Sequence, residues 1–63
     1  MDETNRMLVA YLGTRRRAGA KELAALVGIT IPAVRYRLFR LMSQGRIGQE
    51  KTPDHHVWFF LKE

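Results

Sequence analysis

The chain has 63 residues, a net charge of +5 and no cysteine, so disulfide staples and thiolate metal sites are excluded and the fold must hold by apolar packing alone. A chain this short buries only about 60% of the surface its unfolded form exposes, which leaves no room for a core and a deep catalytic pocket together. Between Thr4 and Gln49 nine Arg or Lys residues face one acid, Glu22, and so one-sided a field attracts polyanions.

The first segment, "DETNRMLVAYLGTRRRAGA", opens with capping residues and acids that suit a helix N-terminus. Met7 and Leu8 stand four residues before Tyr11 and Leu12, a spacing that predicts an apolar stripe on a helix near residues 3 to 12, ended by Gly13. The following "TRRRAG" reads as a basic loop. "KELAALVG" predicts a second helix, roughly 21 to 27, with Leu23, Leu26 and Val27 inward, Ala24 small enough for close helix approach, and Gly28 as its C-terminal glycine. In "ITIPAVRYRLFRLMSQG", Thr30 is a good N-cap and Pro32 falls in the first turn, where its missing N–H is no loss. At 100° per residue Ile31, Val34, Leu38, Leu41 and Met42 form a core stripe. Pro32, Ala33, Tyr36, Arg40 and Ser43 point the other way, Arg35 and Arg37 take the flanks, and Gly45 stops the helix. The C-terminal part changes period. Two strand-like runs, 46–51 and 57–61, flank "TPDHH", where Pro53 and Asp54 suit the centre of a type I turn. Val57, Phe59 and Leu61 share one face of the last strand, Trp58 and Phe60 the other.

The expected fold class is α+β, a winged helix-turn-helix: three helices followed by a two-stranded β-hairpin wing, forming a single DNA-binding domain over residues 1–63. Ala24, Gly28, Ile29 and Val34 provide what the tight helix-two to helix-three connection needs. In such a layout helix three, about residues 30–44, enters the major groove of double-stranded DNA and the wing, 46–61, lies on the backbone. The expected DNA-binding residues on helix three are Thr30, Pro32, Ala33, Arg35, Tyr36, Arg37 and Arg40. Arginine can grip guanine or phosphate in bidentate fashion, and the free N–H groups of the acid-free first turn suit a phosphate. Arg15, Arg16 and Arg17 would meet the backbone on one side; Arg46, Lys51, His55 and His56 would meet it on the other. Plainer roles compete at several positions. The Arg37 stem borders the apolar stripe and could serve packing; Tyr36 could contact the hairpin, and Trp58 could be structural or lie against a DNA sugar. Adjacent histidines without a third ligand read as polar loop residues rather than a metal site.

"ITIPAVRYRLFRLMSQGRI" together with the ending "VWFFLKE" resembles the FaeA/PapI-like family of small winged-helix regulators of enterobacterial fimbrial operons, from about Met7 to Lys62. The resemblance implies a bacterial transcriptional regulator that works beside a larger DNA-bending protein, in that family the leucine-responsive regulator, with DNA contacts on helix three that include Arg35 and Tyr36. "TRRR" is more basic than that family's pattern, and Pro32 stands where it usually has a polar or aromatic residue. The "KTPDHHVW" wing also looks like that of Z-DNA-binding winged helices, which pair a wing proline and tryptophan with an asparagine and a tyrosine on helix three. Here Arg35 and Phe39 occupy the two helix positions.

No carboxylate pair, cysteine nucleophile, Gly-rich phosphate loop or three-ligand metal set is present, so no enzymatic activity, cofactor or small-molecule ligand is expected. No apolar run reaches the ~20 residues of a membrane span, and "MDETNR" is unlike a signal peptide; the expected setting is the bacterial cytoplasm, at the nucleoid. One small domain buries little DNA surface, so a second copy or a DNA-bending co-regulator is an expected partner. A competing reading makes the chain a protein-interaction or dimerisation module acting through its aromatic wing.

Overall fold

The computed structural model describes residues 2–54 and 56–62. Three helices precede an antiparallel hairpin: α1 Glu3–Arg15, α2 Ala20–Val27, α3 Ile31–Ser43, β2 Ile47–Lys51 and β3 Val57–Leu61, with a further short strand, β1 Arg17–Gly19, between α1 and α2. Asp2 caps α1, its carboxylate accepting the Asn5 N–H at 2.8 Å. Thr30 caps α3, its hydroxyl accepting the Ala33 N–H at 3.3 Å, with Pro32 in the first turn as expected. Gly28 adopts a left-handed φ of 74° and donates to the Ala24 carbonyl at 2.9 Å, the geometry that turns α2 sharply into α3.

Two boundaries differ from the expectation. α1 runs through Gly13 to Arg15 and ends at Arg16, a non-glycine residue at φ 74° whose N–H bonds the Leu12 carbonyl. A glycine inside a helix costs only about 1 kcal/mol, and burial of Leu8 and Leu12 on one face outweighs it. The expected basic loop is therefore helix end plus strand. β1 pairs with β3 through Arg17↔Phe60, Ala18↔Phe59 and Gly19↔Trp58, so the wing hairpin is part of a three-stranded sheet of order β1-β3-β2. Three residues are too few for alternation to announce a strand.

The core gathers Leu8 and Leu12 from α1, Leu23 and Ala24 from α2, and Val34, Leu38 and Leu41 from α3, against Ala18, Ile47 and Phe59 of the sheet. Met42 packs at its edge. Ile31, expected in the core stripe, is 37% exposed because it lies in the first turn of α3, at the end of the buried stripe and beside the wing. Leu26, expected inward, is exposed to the same degree; with α2 only eight residues long, the buried positions are Leu23 and Ala24.

The sheet has two unlike faces. Ala18, Phe59 and Gln49 are register partners on the face turned to the helices, and Val57 and Lys51 continue that face toward the hairpin tip. Trp58 and Phe60 alternate to the outer face. There the Arg17 guanidinium crosses β3 to the Glu50 carboxylate at 2.8 Å. The Phe60 ring lies against Gly48, where an added Cβ would come within 2.6 Å of it. Both outer aromatics are half-buried. At the tip, Thr52 N–H donates to the His56 carbonyl at 2.8 Å around a turn at Pro53 and Asp54.

Candidate nucleic-acid interface

The outward half of α3 presents Pro32, Ala33, Arg35, Tyr36, Phe39 and Arg40, all exposed. Tyr36 and Arg40 are one turn apart and form a unit: the Arg40 guanidinium sits 5.8 Å from the Tyr36 ring centre and donates to its hydroxyl at 3.2 Å. A cation held over a ring loses less freedom when it next engages a phosphate or a base edge. Arg35, on the wing side of the helix, has no hydrogen bond or ion pair to another described residue.

Arg37, on the opposite flank, is committed within the fold. Its guanidinium donates to Asp2 at 2.8 Å and to Asn5 at 3.2 Å, tying α3 to the N-terminal turn of α1. The Asn5 backbone N–H and the Arg37 side chain hold the Asp2 carboxyl below its ordinary value. A depressed carboxylate stabilises the fold above its unfolded pKa, and that contribution disappears as pH falls through the lower folded value. Arg37→Ala is therefore expected to lower the melting temperature at neutral pH, with the difference from the unsubstituted protein shrinking once Asp2 is protonated; thermal melts at two pH values check this.

Basic residues of the α1–β1 segment are also largely spoken for. Arg15 lies 3.8 Å from Glu22 and 5.7 Å from the Tyr11 ring centre, and Tyr11 donates to the same Glu22 carboxylate, which raises the Tyr11 pKa. Arg17 belongs to the outer face of the sheet, paired with Glu50. Only Arg16 of the three has no ion pair among the described residues. Arg15 and Arg17 thus each already face a carboxylate of another element. Arg46, just beyond α3, and Lys51, on the helix-side face of β2, are exposed. His56 lies 3.8 Å from Asp54 at the wing tip, and the Thr52 hydroxyl holds the Asp54 carboxyl low. His55 lies outside the described residues.

Two grooves flank α3. One, of about 540 Å³, separates it from the start of α1 and is lined by Asp2, Asn5, Tyr36, Arg37 and Arg40 among others. The other, of about 420 Å³, separates it from the wing and the start of α2; Lys21, Ile31, Arg35, Phe39, His56 and Val57 line it, and none of its walls carries a carboxylate. Lys21 and Phe39 were not among the residues expected to form the interface. Phe39 had a signal in the sequence, since it follows Arg35 by four residues and Tyr36 by three and must share their side of the helix. Among the described residues, no group of three or more His, Cys, Asp or Glu could hold a metal ion. No helix among them is long and apolar enough to cross a membrane.

A model of winged helix-turn-helix DNA-binding domains matches residues 1–47, from α1 into the wing. The chain belongs to this family. Solved structures of low sequence identity share its fold. The YusO protein of Bacillus subtilis superposes with a TM-score of 0.91 at 16% identity over 98% of this chain and 45% of its own. The adhesin competence repressor AdcR of Streptococcus pyogenes superposes with a TM-score of 0.89 at 22% identity over 100% of this chain and 48% of its own. The chain thus spans less than half the length of these two proteins. A third structure, the Zalpha domain of Cyprinid herpesvirus 3 ORF112 described in its binding mode to Z-DNA, is 36% identical over 97% of this chain and 95% of its own, with a TM-score of 0.73. No curated protein matches the chain by sequence.

Proposed function

We propose that this winged helix-turn-helix binds double-stranded DNA with sequence preference, α3 in the major groove and the wing on the backbone, as the DNA-reading unit of a transcriptional regulator. The observation that carries the reading is the exposed, acid-free face of α3, where Arg35 is unpaired and Arg40 is held over Tyr36. Cations so placed on the helix that this family inserts into DNA suit base edges and phosphates. Thr30 and Ile31, at the start of α3, offer backbone N–H groups that a passing DNA phosphate would meet, with Pro32 and Ala33 exposed beside them. Arg46, Lys51 and His56 extend the contact along the wing, and Arg16 is a more distant phosphate contact. Arg15, Arg17 and Arg37 we assign to the fold, because each already holds a carboxylate. The resemblance of α3 and β3 to FaeA/PapI-like regulators supports a role in transcription beside a DNA-bending partner, and AdcR, a repressor by name, has the same fold. Selection of bound duplexes from a random pool at near-physiological salt tests the reading. An enriched consensus is expected, and a pool that stays random under stringent washing would sink sequence-specific recognition.

A second reading, binding to left-handed DNA, is favoured by the 36% identity to the ORF112 Zalpha domain along almost the whole chain. Arg35 and Phe39 both line the groove beside the wing. Against it, Trp58 belongs to the outer face of the sheet, with Val57 on the side turned to α3. Circular dichroism of an alternating CG duplex separates the two: inversion of its spectrum on adding the protein favours the left-handed form, an unchanged right-handed spectrum favours the first reading.

A further inference from the structure

The groove between α3 and the wing joins an apolar lining to basic residues. Ile31, Phe39 and Val57 give it apolar walls, Lys21 and Arg35 stand on its margin, and it carries no acid. Phe39 is 52% exposed and Ile31 37%, and both side chains line the one groove. The two aromatics exposed on α3 differ in a telling way: the Tyr36 ring is already faced by the Arg40 cation, whereas no aromatic or cationic group of the described residues stacks on Phe39. With no hydroxyl, Phe39 can contribute only dispersion and stacking. In an intact duplex both faces of every internal base are occupied by its neighbours. A base that has left the stack has an open face, and aromatic side chains beside cationic groups hold such bases with little regard to sequence.

We propose that this groove seats one unpaired nucleobase of a DNA strand, stacked on Phe39, with the adjoining phosphates held by Arg35 and Lys21. The inference rests on the duplex-binding reading, because α3 and the wing must already lie along the DNA to bring a base into the groove. It makes the protein a reader of local unpairing as well as of sequence, and it assigns the chemistry of a single-strand site to the junction of helix and wing.

The test compares three duplexes of one flanking sequence: fully paired, carrying a single-nucleotide bulge, and carrying the same bulge with its base removed. The base-bearing bulge is expected to bind at least about fivefold tighter than either other duplex, the low end of what stacking one base is worth. The abasic bulge controls for the added flexibility of the DNA. Phe39→Ala should bring the ratio of bulged to paired affinity close to one and Phe39→Trp should preserve it, with circular dichroism confirming that both variants fold. Equal binding of all three duplexes, or a bulge preference that survives Phe39→Ala, overturns the inference while leaving duplex binding in place. Failure to bind any of the three overturns both.

Discussion

Alanine at Arg40 is expected to weaken binding to the selected duplex by about 5- to 150-fold, the equivalent of roughly 1–3 kcal/mol, and alanine at Arg35 to do the same. Both guanidiniums stand on the exposed half of α3, and neither is paired with a carboxylate among the described residues. Little in the fold depends on them. Arg40 contributes a cation–π contact to Tyr36 worth about 0.5–1 kcal/mol at an exposed site, so the melting temperature should move little. The two residues can report different contacts. If an arginine reads a guanine, its loss relaxes preference at one position of the consensus; if it holds a phosphate, affinity falls by the same factor on every sequence. Titrations of each variant against the consensus and its single-base variants distinguish these outcomes. Wild-type affinity in both variants would remove α3 from the interface.

Leu38→Ala should act in the opposite sense, destroying the fold with no direct effect on the DNA-facing surface. Leu38 is fully buried on the inner side of the helix that carries Arg35 and Arg40 outside. Truncating a buried leucine costs about 2–5 kcal/mol, and a core in a chain of this size rarely supplies more than about 3–5 kcal/mol in total. The variant is expected to have lost most of its helical circular dichroism at 25 °C. A cooperative melt within a few degrees of the unsubstituted protein would show that the core is organised around other residues.

That division of α3 into a buried and an exposed half was legible in the sequence because thirteen consecutive residues give periodicity room to speak. Val34, Leu38 and Leu41 fell on the buried side and Arg35, Tyr36 and Arg40 on the other, as the 100° projection requires. The hairpin was legible for a similar reason, since alternation sorts Val57, Phe59 and Leu61 to one face and Trp58 and Phe60 to the other, but only packing decides that the Phe59 face turns inward. What escaped was set by partners distant in sequence. β1 exists because Ala18 meets Phe59 across forty intervening residues, and a three-residue strand has no pattern of its own. Arg37 and Arg40 differ by three positions and both looked unpaired, yet folding carries Asp2 and Asn5 to one of them and not to the other. Likewise "TRRR" read as one basic cluster, whereas helix end, left-handed turn and strand send Arg15 to Glu22 and Arg17 across the sheet to Glu50. A sequence shows which cations have no acid nearby along the chain; only the fold shows which have none nearby in space.

The pairing of three arginines within the fold makes the electrostatic prediction sharper. Arg35, Arg40, Arg46, Lys21 and Lys51 remain on the helix and wing side, with Arg16 further off, so about four to six phosphates should be neutralised. The measurement that tests this most directly is the affinity for a fixed duplex as a function of salt between about 50 and 200 mM. A plot of log affinity against log salt is expected to fall with a slope of roughly −4 to −5, to become shallower by about one unit if Arg35→Ala or Arg40→Ala removes a phosphate contact, and to keep its slope in Arg37→Ala. A line that stays flat across that range, or one that loses its slope only when Arg37 is replaced, would contradict the account.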